Sequence, residues 1–422
     1  MRKKILFLMM ELDSASGICV QNVARELSGR GYEIHILTKS PEKKVKPYQT
    51  EYGARVHGVT AGWLDRICWK CDRSASHAGK SLGRLMMQLQ RAKVIFCYPT
   101  WPLKDFDFSR RLTRKAMEMA RKEKYDFVIP SYNTIDALIA ADAVKQANPD
   151  ILYVPYMLDA FYGGQTPRLM TEKRKRKKAL RWEKCLFSSA EGVVMMNPAR
   201  DSYAKDGIHP EYLNRTVFLD LPMLQEVSVS ECGTKHPGET VFLFAGSMPR
   251  NIRDPKYLLD LFLSTDQPHW RLWFVGPSDF ESLIDEAAAA DSRIRRIGRV
   301  SHSQAQSYMA TADYLVNIGN TLAYMVPSKI FEYMSFGKPV ISTVKIPNDP
   351  CQPYLKLYDR ALMLDEQAPL SQNADVLIHF VREMQEKESA TIANLTKPGM
   401  PLYANTPAAF ADYIQSLTEK MN

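Results

Sequence analysis

The sequence predicts an α/β fold built from two doubly wound domains. Apolar runs typical of buried parallel strands alternate with amphipathic stretches typical of helices, and this alternation stops and restarts near the middle of the chain. A length of 422 residues exceeds what one ordinary hydrophobic core organises, so two domains are expected. We predict a first domain at residues 1–221, a linker at 222–239, a second domain at 240–405 and a final helix at 406–422.

Charge and composition narrow the class of protein. The chain has 56 basic and 47 acidic residues, and residues 1–221 carry an excess of 14 positive charges whereas the remainder carries an excess of five negative charges. Seven scattered cysteines favour a reducing compartment over a disulfide framework. The sequence has no apolar run of about 18 residues, the length of a membrane-spanning helix. We therefore expect a cytoplasmic protein, with peripheral attachment to the inner membrane face left open.

The beginning of the chain predicts a strand–helix–strand unit. Lys4–Met10 is a continuous apolar run, Ile18–Arg30 is amphipathic, and Glu33–Leu37 is a second strand. Because Lys4–Met10 leads directly into an acidic loop without a cleavage site, it is interpreted as a strand and not as a signal peptide. Gly17 ends that loop, at the edge where α/β sheets bind ligands. The loop has no G-x-G-x-x-G pattern, so a dinucleotide cofactor is not predicted.

Asp159 is a candidate catalytic residue of the first domain. It follows the predicted strand Leu152–Leu158 and precedes two aromatic residues and the flexible pair Gly163–Gly164. Catalytic groups collect at the carboxyl ends of parallel strands. A helix cap or a surface turn would also use an aspartate at this point, so both interpretations stay open.

A basic loop follows the first strand of the second domain. Gly246 comes directly after the apolar run Thr240–Ala245, and three basic residues follow before the next helix. A strand, a glycine, a basic loop and a helix together form an edge that can face a phosphate group. Arg253 is the first candidate, Arg250 the second and Lys256 the third. The alternative is that these are ordinary surface side chains.

The segment Ala323–Thr343 predicts a loop, a short helix, a tight turn and a strand. Ser328 stands where an N-cap would accept a hydrogen bond from the first helical turn. Lys329 lies at the positive end of the helix, where it is locally unfavourable unless an anion is also present. Glu332 lies one turn further along and can accept two hydroxyl protons from a vicinal diol. A phosphate at the cap and a diol one turn away are what a nucleotide diphosphate sugar presents.

The run PSKIFEYMSFGKPV at 327–340 resembles the donor-nucleotide segment of GT-B glycosyltransferases, close to the family 4 (group 1) type. The resemblance implies a GT-B fold, in which two Rossmann-like doubly wound domains face each other across a cleft. It implies that Glu332 holds the nucleotide ribose, that the loop and helix start before it hold the diphosphate, and that Arg299 lies at the base. The chain departs from the family pattern at Tyr324, where a second glutamate is usual.

The resemblance also implies an activity. A sugar would pass from a nucleotide diphosphate sugar to an acceptor hydroxyl, through an oxocarbenium-like transition state. Lys329 would stabilise the leaving diphosphate, and Asp159 would face the sugar from the first domain. The family retains the anomeric configuration of the donor. No DxD motif or paired-carboxylate metal cluster stands out at the edge predicted to hold the diphosphate, so no metal or resident cofactor is expected.

The expected partners are a nucleotide sugar donor and a glycan or lipid-linked acceptor, in bacterial-type polysaccharide or glycolipid assembly, and no nucleic acid. Two alternatives stay open. One is a GT-B-fold sugar-nucleotide epimerase, and the other is a catalytically silent glycan-binding relative.

Three basic segments of the first domain allow two interpretations. Leu82–Phe96, Ser109–Lys124 and Glu172–Lys184 combine lysines and arginines with apolar residues at helical spacing. Such segments lie on anionic membrane surfaces or, in the run at 172–184, contact an anionic glycan. They are equally typical of helices that cover a sheet and expose a solvated basic face.

Overall fold

A computed structural model of the chain describes residues 2–42, 46–72, 76, 81–83, 85–89, 98–132, 134–159, 161–164, 166–167, 170–227, 229–231, 235–322, 327–387 and 392–419. The chain divides into two compact units. Unit 1 comprises Met1–Pro222 together with Pro407–Asn422, and unit 2 comprises Met223–Thr406. Tyr324 lies outside the described residues, and so do residues 84 and 90–96 of the predicted helix 82–96.

The secondary structure follows the predicted alternation. Up to residue 222 the strands are β1 Lys4–Leu8, β2 Glu33–Ser40, β3 Tyr48–Gln49, β4 Arg55–Thr60, β5 Phe127–Pro130, β6 Leu152–Tyr153, β7 Tyr156–Met157, β8 Val193–Met196 and β9 Thr216–Leu219. The helices there are α1 Ala15–Gly29, α2 Trp63–Asp72, α3 Phe106–Lys122, α4 Ile135–Ala147, α5 Glu172–Leu186 and α6 Asn197–Asp206.

Unit 2 alternates in the same way. Its strands are β10 Thr240–Ala245, β11 Trp270–Val275, β12 Ile294–Gly298, β13 Tyr314–Asn317, β14 Val340–Val344 and β15 Ala361–Asp365. Its helices are α7 Lys256–Ser264, α8 Glu281–Ala290, α9 His302–Thr311, α10 Lys329–Ser335, α11 Gln352–Leu355, α12 Leu370–Glu386 and α13 Ile392–Leu395. The last helix, α14 Pro407–Glu419, returns to unit 1.

The main sheet of unit 1 is doubly wound. Its strand order is β3-β4-β2-β1-β5-β6, and every pair except the β3–β4 edge is parallel. A second sheet, β7-β8-β9, adjoins it through a parallel bridge between Ser131 and Tyr156. The connections from β1 and β5 therefore lead to opposite sides of the sheet, and the gap between these two strands is its topological switch point.

The predicted strand at 152–158 is two short strands. Leu152 and Tyr153 pair with β5, whereas Tyr156 and Met157 pair with β8. The break falls at Pro155, which has no amide hydrogen to donate to a neighbouring strand. The chain thus moves from one sheet to the next just before it reaches Asp159.

The first helix begins three residues earlier than predicted. The Ser14 hydroxyl accepts a hydrogen bond from the Gly17 amide at 3.1 Å, so Ser14 is the N-cap and Gly17 lies in the first turn. Serine is a favourable N-cap residue, but the glycine three residues later had indicated a loop. The prediction of Ile18 as the helix start was wrong for this reason.

Unit 2 has the strand order β12-β11-β10-β13-β14-β15, all parallel. In sequence order this is 3-2-1-4-5-6, the arrangement of a doubly wound nucleotide-binding sheet, with its switch point between β10 and β13. Each unit has its own buried core. Side chains of the sheet, α4 and α5 form the core of unit 1, and side chains of β10–β14, α7 and α12 form that of unit 2.

Among the described residues, no helix is long and apolar enough to cross a membrane.

Candidate active site

Helix α10 stands at the switch-point edge of unit 2, but the hydroxyl of Ser328 does not cap it. Ser328 itself has helical dihedral angles, φ −57° and ψ −23°, and its side chain accepts no capping hydrogen bond. The Ile330 amide already donates to the Pro327 carbonyl at 3.2 Å, so the turning of the chain begins before Ser328. Ser328 occupies the predicted N-cap position, but its hydroxyl does not make the predicted capping hydrogen bond.

Lys329 and Glu332 form an ion pair on α10. The Lys329 ammonium donates to Glu332 Oε2, and the Glu332 residue is only 6% exposed. The second carboxylate oxygen, Oε1, is buried and makes no hydrogen bond to any residue that the structure describes. His302 Nε2 lies 3.9 Å from that oxygen, beyond hydrogen-bonding distance. A buried carboxylate with one unused acceptor is suited to a ligand that brings hydroxyl groups.

Tyr333 fastens α10 to the end of β10. Its buried hydroxyl donates to the Ala245 carbonyl and accepts from the Ala245 amide, each at 2.9 Å. Gly246 follows at once, and its amide donates to the Val275 carbonyl at 2.9 Å. A Cβ on Gly276, whose φ is +122°, would lie 2.0 Å from the Gly246 carbonyl oxygen, so the two loops approach closely because Gly276 has no side chain.

The two predicted arginines of the 246–256 loop have different environments. Arg253 is half-buried; its Nη1 donates to the Ser247 carbonyl at 3.0 Å, and its Nε is buried without a hydrogen bond. Burial lowers the pKa of Arg253, and nearby Tyr333, Cys351 and Asp349 oppose this shift. The charge interaction with Tyr333 places Arg253 close to α10.

Arg250 contacts residues that follow β11. It is exposed, its amide donates to Asp279 Oδ2 at 2.9 Å, and its guanidinium lies 5.6 Å from the Phe280 ring centroid. Lys256 pairs instead with Asp260 on α7 at 2.8 Å. Arg253 remains the first candidate for phosphate contact.

Arg299 lies just beyond the end of β12. It is exposed and follows Gly298, which has a φ of +80°. Ser301 and Gln304 then form a capping box, and His302 is the first residue of α9. This turn brings His302 towards Glu332, while Arg299 stays a predicted base contact.

A buried polar cluster at the ends of β13 and β14 was missed from sequence. Asn317 Nδ2 donates to Ser342 Oγ at 2.9 Å, and the Thr343 hydroxyl accepts from the Gly319 amide and donates to Glu366 Oε1 at 2.8 Å. Burial raises the pKa of Glu366. The available signal was a polar residue at or near the carboxyl end of each strand.

The predicted residues of unit 1 are Gly17 and Asp159. Gly17 is buried, and a Cβ there would lie 2.2 Å from the carbonyl oxygens of both Glu11 and Leu12. Packing of the loop against α1 is thus a sufficient reason for this glycine. Asp159 is exposed, yet surrounding protein desolvates it enough to raise its pKa. Burial, followed by the charge of Asp159, raises the pKa of Cys19 to about 12, so the carboxylate is close to α1.

The basic run at 172–184 fixes the chain that follows Asp159. Lys175 is buried and donates to the carbonyls of Tyr162 and Gly164 at 2.6 and 2.7 Å. Glu183, also buried, accepts from the Tyr162 amide at 3.0 Å and from the hydroxyls of Tyr203 and Tyr212. Burial raises the pKa of Glu183 to about 7 and lowers that of Lys175 to about 8. The run is therefore not a uniformly solvated face.

One cluster among the described residues has the composition of a metal site. Glu33, His35 and Glu123 bring a ring nitrogen and carboxylate oxygens together at the amino ends of the unit 1 strands. The Lys4 ammonium already lies 2.8 Å from Glu123 and 3.5 Å from Glu33. The carboxylates are thus balanced by lysine, away from the carboxyl edge of the sheet.

Residues 239–351 match the family model described as glycosyl transferases group 1. This span includes the 246–256 loop and α10. No curated protein matches the chain by sequence.

Solved structures are similar over nearly the whole length. The apo form of the lipopolysaccharide outer core galactosyltransferase WaaB is 11% identical, with a TM-score of 0.53 over 98% of this chain and 99% of that chain. WaaG, a glycosyltransferase involved in lipopolysaccharide biosynthesis, is 12% identical, with a TM-score of 0.53 over 97% of this chain and 99% of that chain. UDP-GlcNAc 2-epimerase from Methanocaldococcus jannaschii is also 12% identical, with a TM-score of 0.53 over 98% and 99% of the two chains. The chain therefore has the predicted GT-B fold, and its residues 239–351 carry a group 1 glycosyl transferase domain.

Proposed function

We propose that this protein is a glycosyltransferase that moves a sugar from a nucleotide diphosphate sugar to an acceptor hydroxyl, in polysaccharide or glycolipid synthesis. The observation that carries the proposal is Glu332. It lies inside the segment that matches group 1 glycosyl transferases, at the switch-point edge of unit 2, with one buried carboxylate oxygen unused. That oxygen can accept from a ribose hydroxyl.

The charges around α10 suit the leaving diphosphate. As the glycosidic bond breaks, negative charge grows on the diphosphate, and cationic groups held in place before the reaction stabilise it. Lys329 is anchored by Glu332, and Arg253 is anchored by the Ser247 carbonyl. Both can offer further donors to phosphate oxygens. We assign Lys329 and Arg253 to the diphosphate and Glu332 to the ribose.

The finer features of the reaction belong to the same proposal. The resemblance implies retention of the anomeric configuration and Asp159 as the group that faces the sugar, and the lack of a DxD motif in the second domain supports a reaction without a metal. The positive excess of residues 1–221 supports action at the inner face of an anionic membrane, on a lipid-linked glycan. Retention predicts that the first-formed product, followed by NMR, keeps the anomeric configuration of the donor. Metal independence predicts an unchanged rate in excess EDTA.

A nucleotide screen tests the proposal. UDP, GDP, dTDP and CDP, and their common hexose derivatives, are titrated against the full chain by isothermal calorimetry. We expect one base to bind, and we expect Glu332→Gln and Arg253→Ala to weaken that binding by about tenfold or more, as loss of a charge-assisted hydrogen bond does. Absence of binding to the whole panel, or equal affinity in the variants, would contradict the proposal.

The epimerase alternative has support from one observation, the equal TM-score of the archaeal UDP-GlcNAc 2-epimerase. The two functions differ in their products. Incubation with a nucleotide sugar alone should give no new nucleotide sugar, only slow hydrolysis, if the chain is a transferase. A second set of sugar H1 and H2 resonances, with the nucleotide still attached, would instead identify an epimerase.

A further inference from the structure

A cavity of 380 Å³ opens at the carboxyl edge of unit 1. Met10 and Glu11, just beyond β1, line one side, and Tyr132, Thr134 and Asp136, which follow β5, line the other. Since β1 and β5 are the neighbours between which the connections reverse direction, the cavity lies at the switch point of this sheet. Ligands of doubly wound sheets bind at this place, and none of the residues assigned to the donor contributes to it.

One wall of the cavity is aromatic. Trp101, Phe108 and Tyr132 line it, and both Trp101 and Tyr132 contact the buried ring of Phe161, at centroid distances of 5.5 and 5.2 Å. Phe161 follows Asp159 by two residues, so the wall and the candidate catalytic carboxylate are parts of one local structure. Aromatic walls with a few polar groups are typical of sites for small organic rings.

Asp136 is a buried polar residue in the lining of the cavity. It lies in the first turn of α4 and is only 6% exposed, and its Oδ1 makes no hydrogen bond within the described part of the chain. Burial raises the pKa of Asp136, against the opposing influence of Thr134 and Ser109. Buried acceptors without partners are rare because each carries a desolvation cost, so this carboxyl suits a ligand that donates hydroxyl protons.

The lining carries more negative than positive charge, although unit 1 as a whole is basic. Its carboxylates belong to Glu11, Asp65, Asp105 and Asp136, and its ammonium groups to Lys39 and Lys104. Lys39 is moreover paired with Asp65 at 2.6 Å. A phosphate or uronate would meet this excess of carboxylates and be repelled, whereas an uncharged ring would not.

We propose that this cavity binds an uncharged pyranose ring of the acceptor glycan, with a ring hydroxyl donated to Asp136 Oδ1 and the apolar ring face against Trp101. The inference rests on the proposed function and names the acceptor class. A second cavity of 700 Å³ shares Glu11, Lys39 and Asp65 with the first, so a neighbouring sugar of the same glycan has room alongside.

The test is saturation-transfer difference NMR on the full chain. The neutral compounds are the methyl β-glycosides of glucose, galactose and N-acetylglucosamine, and the anionic compounds are glucuronate and glucose 6-phosphate. We expect at least one neutral glycoside to bind and neither anion to bind. Trp101→Ala and Asp136→Asn should each weaken the neutral ligand at least fivefold. Asp150→Asn, which changes an exposed aspartate just beyond α4, is the matched control and should change nothing.

Circular dichroism and urea unfolding establish that each variant is folded, and Asp136→Asn keeps the size of the side chain. Binding of an anion in preference to every neutral glycoside, no binding of any neutral glycoside, or equal binding by wild type and both cavity variants would overturn the inference. The nucleotide titration separates this failure from that of the proposed function. Donor binding that is lost in Glu332→Gln while no neutral glycoside binds would leave the transferase intact and remove only the acceptor assignment.

Discussion

Glu332 shows how a single residue connects sequence, packing and chemistry. Its place in the sequence indicated a ribose contact, and the structure adds the physical reason that such a contact is useful. The carboxylate is buried and one oxygen is paired with Lys329, while the other has no partner. A buried acceptor of this kind gains more from a ligand hydroxyl than an exposed one, because water does not compete for it.

We predict that Glu332→Gln weakens nucleoside diphosphate binding by about 10- to 100-fold, the range expected from about 1.5–3 kcal/mol for a hydrogen bond to a charged group. Calorimetry with the base identified in the screen measures the change. Glu286→Gln is the matched control, because Glu286 is exposed on α8. The prediction requires that binding of inorganic pyrophosphate falls less than that of the nucleotide. Equal losses would mean that Glu332 acts only by holding Lys329 in place.

At the scale of elements, α1 supplies a matched pair of glycines. A Cβ at Gly17 would lie 2.2 Å from two backbone carbonyl oxygens, whereas one at Gly29 would have nothing within 4 Å. We predict that Gly17→Ala destabilises unit 1 by about 1–3 kcal/mol through overpacking, while Gly29→Ala is neutral or stabilises by up to about 1 kcal/mol through helix propensity. Urea unfolding followed by circular dichroism measures both changes. If Gly17→Ala keeps full stability and loses donor binding, the glycine serves the ligand and not the packing.

Helix α5 provides a pH-dependent prediction. Folding raises the pKa of Glu183 from 4.5 to about 7, so between these values the folded protein holds a proton that the unfolded chain has released. Stability from this group is complete below pH 4.5 and is lost as pH rises towards 7. The loss is on the order of 3 kcal/mol, from about 1.4 kcal/mol per pKa unit. Glu183→Gln should remove this part of the pH dependence, as measured by urea unfolding at pH 5 to 8.

Glu172→Gln is the control for that experiment, since Glu172 is an exposed carboxylate on the same helix. Lys175 does not interfere, because its lowered pKa of about 8 keeps it charged throughout most of the window. An unchanged slope of stability against pH in Glu183→Gln would contradict the assignment.

The elements also show what sequence could and could not predict. Strands such as Thr240–Ala245 were predictable because a buried parallel strand is a continuous apolar run. The break at Pro155 was missed because the apolar residues around it predicted one continuous strand. The helix start at Ser14 was missed because the polar residues up to Gly17 predicted a loop. Lys175 and Glu183 are buried, and this was not predicted because the high charge of the run at 172–184 favoured exposed side chains.

The cavity around Asp136 was not predictable by pattern. Its lining comes from the ends of β1 and β5 and from residues 101–108, segments far apart in sequence. In contrast, Lys329 and Glu332 could be proposed from sequence because one short contiguous motif contains them. A site is predictable from sequence to the extent that its residues are local. The proposed donor segment is local, whereas the proposed acceptor cavity is formed by segments that the fold brings together.

At the scale of the whole molecule, the chain divides its charge and its proposed tasks between two units. The basic unit 1 nevertheless contains a cavity lined by more carboxylates than ammonium groups, and the acidic unit 2 holds Lys329 and Arg253 at its switch point. In unit 1 the charge that lines the cavity is therefore opposite in sign to the balance of the unit, whereas in unit 2 Lys329 is paired with Glu332. The net charge of a unit therefore influences its long-range attraction to charged surfaces. The residues at the carboxyl edge of its sheet determine which ligand it binds.

The last helix links the end of the sequence to the stability of unit 1. In α14, Phe410 is buried with its ring centroid 4.6 Å from that of Tyr156, Ile414 is fully buried, and Asp412 pairs with Arg30 of α1 at 2.6 Å. Burying a phenylalanine and an isoleucine contributes about 1.5–3 kcal/mol each, a large part of the 5–15 kcal/mol that stabilises a typical domain. The sheet of unit 1 therefore depends on residues that follow unit 2 in sequence.

We predict that ending the chain at Thr406 abolishes cooperative unfolding of unit 1, whereas residues 223–406, which form unit 2, keep theirs. Phe410→Ala is the milder variant and should cost about 3–5 kcal/mol. Hydrogen exchange followed by mass spectrometry distinguishes the units, because protection should fall in β1, β5 and β7 and persist in β10 and β13. Nucleoside diphosphate binding should survive truncation, since its proposed residues all belong to unit 2. Loss of protection in both units together would mean that they fold as one cooperative body, and the donor segment would then depend on α14 as well.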